Sequence, residues 1–215
     1  MSDHPGLRAE MVEQQLRGRG ITDERVLTAM GAVPREAFVP EESRHLAYAD
    51  GALPIGFDQT ISQPLMVAEI CQSLLLTGDE KVLEIGTGSG YSAAVLSHLC
   101  KEVISIERIP ELTNRAEAAL RECGVERVTC ISGDGSGGWP ALAPYGAIAV
   151  HAGAPNLSER LVSQLEQGGR LVVPVSADGG EVLTRVTLGV AGEQSIDEIG
   201  PCRFVPLIGE AGYES

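Results

Sequence analysis

Lys81-Val82-Leu83-Glu84-Ile85-Gly86-Thr87-Gly88-Ser89-Gly90 decides how this chain is read. Five residues with the apolar content of a buried strand run into a glycine-rich turn. Tyr91 to Leu99 then has the composition of a helix. Glycines between a strand and a helix permit a tight turn and let a ligand approach the backbone closely. A glycine turn alone is weak evidence, because ordinary tight connections also use one. Two details narrow the choice. A dinucleotide fingerprint places a third small residue at position 91, where this chain has Tyr91, and an apolar residue at position 84, where it has Glu84.

An ionised carboxylate inside an apolar strand is costly unless something compensates it. The amino group and sulfonium of S-adenosylmethionine would supply that charge; a basic side chain paired with Glu84 is the other reading. Downstream, Glu102 to Ile106 forms the next strand and Glu107 closes it, 21 residues after Gly86. That is the spacing at which an acid meets ribose hydroxyls. A helix opened by Pro110 and ended by Gly124 follows, then a third strand, Arg127 to Ile131. Gly133-Asp134-Gly135 comes next, with Asp134 placed to accept from an adenine amino group or simply to make a turn. Three acids at three successive strand ends point to the carboxyl edge of an open sheet, where such folds bind ligands.

Farther along, Ala147 to Val150 reads as a fourth strand and residues 157–165 as a helix. Gly168-Gly169 leads into the strand Arg170 to Val175, and residues 181–208 hold two or three strands with no helix between them. This rhythm predicts an α/β fold: a doubly wound, mostly parallel, seven-stranded Rossmann-like sheet with an antiparallel C-terminal edge. Upstream, residues 1–78 read as a mainly helical segment. Leu7, Met11, Val12 and Leu16 have helical spacing within Asp3 to Arg19, and Thr22 is placed to cap a helix through Ala29 that Gly31 closes. Residues 33–40 read as an extended or turning link because of Pro34 and Pro40. Ser62-Gln63-Pro64 starts another helix. The expected division is residues 1–78 packed on a core of 79–215, one structural domain overall.

Bulk properties exclude several functions. The net charge is −14 and the only lysines are Lys81 and Lys101, so no basic stripe exists to grip a phosphate backbone. No apolar run approaches the ~20 residues of a membrane span, and the N-terminus has no signal-like apolar core. Five cysteines without a C-x-x-C pair read as free thiols of a cytoplasmic protein. Four scattered histidines argue against a metal site.

Further stretches carry a resemblance. Asp50-Gly51-Ala52-Leu53-Pro54-Ile55-Gly56, Gln59-Thr60-Ile61-Ser62-Gln63-Pro64, the stretch Lys81 to Gly90, Ser105-Ile106-Glu107-Arg108-Ile109-Pro110-Glu111-Leu112, Gly133-Asp134-Gly135-Ser136 and Phe204-Val205-Pro206-Leu207 resemble the protein-L-isoaspartate O-methyltransferases. The resemblance covers roughly residues 11–209, and Thr-Ile-Ser-Gln-Pro is its most specific part. It implies methyl transfer from S-adenosylmethionine to the free carboxylate of L-isoaspartyl residues in damaged peptides and proteins. A related activity on an ordinary aspartate of one dedicated peptide is the alternative. It implies Ser62 and Thr60 as catalytic residues. Cofactor residues would be Gln59, Glu84, Gly86, Thr87, Gly88, Ser89, Gly90, Glu107, Arg108, Gly133, Asp134 and Gly135. Substrate residues would be Ile55, Gly56, Val205 and Pro206. No metal, nucleic acid or membrane is expected, and the protein is expected to be a monomer. The chain departs from the family pattern at Asp58, Gly146 and His151, where glycine, aspartate and threonine are usual.

Overall fold

The computed structural model describes residues 4–214. The elements run α1 (His4–Glu10), a π-helical turn (Met11–Leu16), α2 (Glu24–Ala32), β1 (Leu53–Gly56), β2 (Gln59–Ile61) and α3 (Pro64–Ser73). The core follows as β3 (Lys81–Ile85), α4 (Tyr91–Ser97), β4 (Glu102–Glu107), α5 (Pro110–Glu122), β5 (Val128–Ser132), β6 (Tyr145–Val150), α6 (Glu159–Val162), β7 (Leu165–Ala177), β8 (Gly180–Leu188) and β9 (Gln194–Cys202).

The seven-stranded sheet has the order β5-β4-β3-β6-β7-β8-β9. The first five strands are parallel, and β8 and β9 are antiparallel. Strand order reverses between β3 and β6, so a crevice opens at their carboxyl ends. The strands alternate between two apolar layers, as a period of two requires. Val82, Val103, Ala147 and Val172 face one layer with the N-terminal segment, α3 and α4. Leu83, Ile104, Ile148 and Leu171 face the other with α6 and Leu207. Each such buried Val, Leu or Ile side chain contributes about 1.5–3 kcal/mol. In register, Glu84 lies opposite Ser105 on β4 and Ala149 on β6.

The order of the last strands is a simple meander, because two hairpins at residues 177–180 and 188–194 join β7, β8 and β9. Residues 203–208 form isolated bridges rather than a further strand. Several sequence expectations are corrected. Asp23, not Thr22, caps α2, its carboxylate accepting from the Arg25 and Val26 amides, while the Thr22 amide donates to Gln72. The helix continues past Gly31 to Ala32. The helix expected over residues 3–19 changes to π and 3₁₀ turns beyond Glu10, and Asp3 lies outside the described residues. Residues 35–38 of the link form a 3₁₀ turn. The helix expected over residues 157–165 shrinks to α6, and Leu165 already pairs with Tyr145 at the start of β7. The β1–β2 hairpin inside the mainly helical segment was not expected. Its turn places Phe57 and Asp58 at φ +54° and +56°. No helix among the described residues is long and apolar enough to cross a membrane.

Candidate active site

The crevice at the carboxyl ends of β3, β4 and β6 opens as a cleft. Gly86, Thr87, Gly88 and Ser89 form one wall, and Glu107 and Arg108 follow from the end of β4. Gly135 and Ser136 come from beyond β5, and residues 205–208 from beyond β9. The hairpin closes the remaining side with Gln59, Thr60 and Ile61, and Ser62 follows it.

The glycines have local reasons. Gly86 (φ +92°) and Gly88 (φ +53°) occupy left-handed backbone that disfavours other residues. Gly90 does not line the cleft; a Cβ there would stand 3.1 Å from Ala116 Cβ, so it sets how closely α4 meets α5. At Gly135 a Cβ would meet Ile106 and Ile85 side chains at 3.1 Å, so glycine keeps the cleft floor open. Gly133 lies under Trp139 rather than on the cleft wall.

The three acids have different surroundings. Glu107 is buried at the cleft; its Oε2 accepts from the Gly88 amide at 2.9 Å and its Oε1 from the Ile109 amide at 3.0 Å. The carboxylate thereby fixes the glycine turn while keeping lone pairs free for a ligand. Asp134 is exposed and off the cleft, with Oδ1 accepting from the Ser136 amide and Oδ2 from the Glu210 amide. Those bonds hold its carboxyl below the usual range against an opposing desolvation cost. Glu84 is fully buried beneath the turn. Burial pushes its carboxyl up to about 7, against a hydrogen bond from the Ser105 hydroxyl. Thr87 bonds Ser105 in turn, and His151 Nε2 stands 3.5 Å from Glu84 Oε1. No lysine or arginine among the described residues pairs with Glu84.

Ser62 and Thr60 both line the cleft. Neither caps α3, whose N-cap is Gln63 and lacks a side-chain cap. The Ser62 carbonyl accepts from Arg35 Nη2 at 2.7 Å. Arg35 is fully buried; its Nε donates to the Ala47 carbonyl at 2.8 Å, and its guanidinium lies 4.9 Å over the Tyr91 ring. Burial lowers its pKa to about 10, so the group stays charged at neutral pH. Ile55 and Gly56 line a neighbouring groove beside Arg115 that shares Gly88 and Ser89 with the cleft. Val205 and Pro206 line the cleft itself. The Val205 carbonyl accepts from the Gly153 amide at 2.8 Å, and Glu181 accepts from the Phe204 amide at 2.7 Å.

Sequence reasoning missed Arg35, Ser92 and Ser105. Parallel register holds a signal for Ser105, which pairs with Glu84 on the same face. Ser92 bonds His151 Nε2 at 2.7 Å, and nothing in its local sequence marks it.

The donor set suits an adenosyl ligand. A glycine turn, an acid at the second strand end and an open floor at Gly135 converge on one cleft. Glu84 Oε1 beneath it is buried without a hydrogen-bond partner, a place where positive charge in the cleft would be favourable. A sheet of this order with this crevice is the fold of the class I S-adenosylmethionine-dependent methyltransferases.

The chain belongs to the protein-L-isoaspartate(D-aspartate) O-methyltransferase (PCMT) family, whose profile matches residues 7–212. It is 52% identical over 209 residues to protein-L-isoaspartate O-methyltransferase 1 of Rhodopseudomonas palustris strain HaA2, covering 97% of this chain and 85% of that one. It is 50% identical over 212 residues to protein-L-isoaspartate O-methyltransferase 2 of Marinobacter nauticus, covering 98% and 97%. A solved protein-L-isoaspartate O-methyltransferase superposes with TM-score 0.84 at 28% identity, over 95% of this chain and 67% of that one. A candidate enzyme of the same description from Plasmodium falciparum, in complex with S-adenosyl-L-homocysteine, superposes with TM-score 0.81 at 25% identity, over 94% and 98%.

Proposed function

We propose that this protein moves a methyl group from S-adenosylmethionine to the free carboxylate of L-isoaspartyl residues in damaged peptides and proteins. One observation carries the reading: residues 59–62 of the hairpin side, the glycine turn 86–89, Glu107 and residues 205–206 share one cleft. The cofactor supplies an electrophilic methyl group on a sulfonium.

A carboxylate nucleophile is already ionised at neutral pH, its pKa lying near ~4, so no general base is required. His151 agrees, since burial lowers its pKa to about 4 and makes it a weak base. The protein's contribution is to bind, to align and to exclude water. In this reading Gly86 to Ser89 and Glu107 hold the adenosyl portion, with Gln59, Arg108 and Gly135 beside it. Asp134 acts at one remove, by bracing the amide of the cleft-lining Ser136 together with that of Glu210. Ser62 and Thr60 orient the attacking carboxylate, and Arg35 fixes the Ser62 backbone. Val205 and Pro206 border the peptide, and Ile55 and Gly56 border it from the adjoining groove. Residues 1–78 and 79–215 work as one structural domain, acting as a monomer in the cytoplasm.

The test is transfer of labelled methyl from S-adenosylmethionine to an isoaspartyl peptide and to its aspartyl twin. A base-labile methyl ester on the isoaspartyl peptide alone is expected; equal labelling of the twin would replace this reading with one centred on ordinary aspartate. Ser62→Ala is expected to keep S-adenosylhomocysteine binding by calorimetry and to lose turnover by about 10²-fold or more, the scale of losing a positioned hydrogen bond in a reaction. Unchanged turnover would remove Ser62 from the mechanism.

A further inference from the structure

Glu84 has no solvent exposure, and its Oε1 has no hydrogen-bond partner among the described residues. His151 Nε2 stands 3.5 Å from that oxygen and bonds Ser92 Oγ at 2.7 Å, and the Ser92 hydroxyl also acts on the Glu84 carboxyl. His151 lines the cleft while Glu84 lies behind it, so the imidazole joins the buried acid to the ligand space. We propose that Glu84 and His151 form a proton-exchanging pair that senses the charge on the sulfur of the bound methyl donor. Near neutral pH Glu84 is partly protonated in the ligand-free cleft, releases that proton to solvent when a sulfonium ligand binds, and regains it when the sulfur is a neutral thioether. This rests on the donor-site reading above.

The geometry supplies the means. A unit positive charge in a partly desolvated cleft favours a nearby carboxylate. A neutral imidazole suits both states of the acid: its bare nitrogen accepts from a carboxyl O–H, and after tautomer exchange its N–H donates to a carboxylate. Burial already holds the Glu84 carboxyl near 7, where a modest field switches it. Other titratable groups whose fields reach Glu84 are Glu107 on β4, Cys71 on α3, Cys100 after α4 and Cys130 on β5. Glu107 raises the Glu84 pKa further. The three thiols are themselves pushed well above neutral pH by burial, so they do not compete for the proton.

Calorimetry near pH 7, in two buffers of unlike ionisation enthalpy, counts the protons exchanged on binding. The ligand's own amino group also titrates, so the comparison of wild type with Glu84→Gln is the readout. Wild type is expected to release about half a proton more than Glu84→Gln on binding S-adenosylmethionine, and no more than it on binding S-adenosylhomocysteine. Equal counts for both proteins with S-adenosylmethionine would overturn the proposal. His151→Leu removes the N–H donor to the carboxylate, so the pH midpoint of release should rise by about one unit; an unmoved midpoint would take His151 out of the pair. Failure of wild type to bind either ligand would instead bring down the donor-site reading, whereas binding without a proton difference sinks only the pair.

Discussion

Arg35 and Glu84 are both fully buried ionisable groups beside the cleft, and among the described residues neither has an oppositely charged carboxylate or ammonium partner. They reach opposite solutions. Arg35 keeps its charge because two carbonyls accept from it and the Tyr91 ring faces it. Burial drives Glu84 toward the neutral form, against hydroxyl contacts from Ser105 and Ser92, and its Oε1 faces His151 without a formed hydrogen bond. Each keeps one buried atom without a hydrogen-bond partner among the described residues, Arg35 Nη1 and Glu84 Oε1; a guanidinium cannot shed its proton at neutral pH, so two carbonyls and a ring must hold its charge, whereas a carboxyl can take a proton up. The first group therefore acts as a fixed brace and the second as a variable one.

Replacing the fixed brace tests this most severely. Arg35→Met strands the Ala47 and Ser62 carbonyls in the core, each costing about 1–3 kcal/mol. A total loss of about 3–5 kcal/mol is expected in urea unfolding. Arg35→Lys should recover part of the stability but little of the methyl transfer, because an ammonium cannot serve two carbonyls in a fixed fork. A lysine variant with full turnover would show that Ser62 needs no such anchoring. Gly146 presents the opposite experiment, an acid added where nothing compensates it. A Cβ there would stand 2.8 Å from Glu80 Cγ and from Glu166 Oε1. Gly146→Asp, the residue usual in the family pattern, should cost this chain about 2–4 kcal/mol. A melting temperature equal to wild type would mean that Glu80 and Glu166 swing aside freely.

The variable brace can be dissected by pH. Glu84 has its pKa raised from 4.5 to about 7, so between those values the native state holds the extra proton and stability falls as pH rises. His151 has its pKa lowered from 6.5 to about 4, so between those values the unfolded state holds the extra proton and stability falls as pH drops. From 4.5 to 6.5 the two slopes oppose and nearly cancel in the wild type. Each single variant should unmask the other at about 1.4 kcal/mol per pH unit. His151→Leu should lose stability from pH 4.5 toward 7, and Glu84→Gln should lose it from 6.5 toward 4. Flat profiles in both, measured by urea titration at stepped pH, would show that neither group is shifted as its burial implies.

How much of this was visible in the sequence differs by region for a physical reason. The parallel core was legible because its strands are short apolar runs closed by turn chemistry, and the turn at Gly86 announces itself. Glu107 was legible because chain spacing across one βα unit nearly fixes where it emerges. Asp134 was expected to face an adenine amino group, yet it lies off the cleft with its carboxylate engaged by the Ser136 and Glu210 amides, and the second of these contacts joins residues far apart in sequence. Arg35 was hidden for the same reason: its partners at 47 and 62 lie in other elements, and nothing local distinguishes a buried arginine from a solvated one. The β1–β2 hairpin escaped because its turn lacks the Asn-Gly or Asp-Gly pair that marks such turns.

That hairpin gives the smallest test, at the surface, where backbone strain rather than burial decides the outcome. Phe57 and Asp58 both sit in the left-handed region, and both are exposed. Phe57 gains a compensating contact, since the Arg115 guanidinium lies 5.2 Å from its ring and Arg115 Nη1 donates to the Ile55 carbonyl. Aspartate tolerates this backbone better than most residues, and glycine better still. Asp58→Gly should therefore stabilise the protein by about 0.5 kcal/mol, part of the relieved strain being offset by the greater freedom of glycine in the unfolded chain. Because residues 59–62 continue from this turn into the cleft, the same variant should leave methyl transfer within about twofold, a 0.4 kcal/mol effect. A larger drop in turnover without loss of stability would mean that the Asp58 carboxylate itself meets the substrate, which would move the boundary of the site out to the hairpin tip.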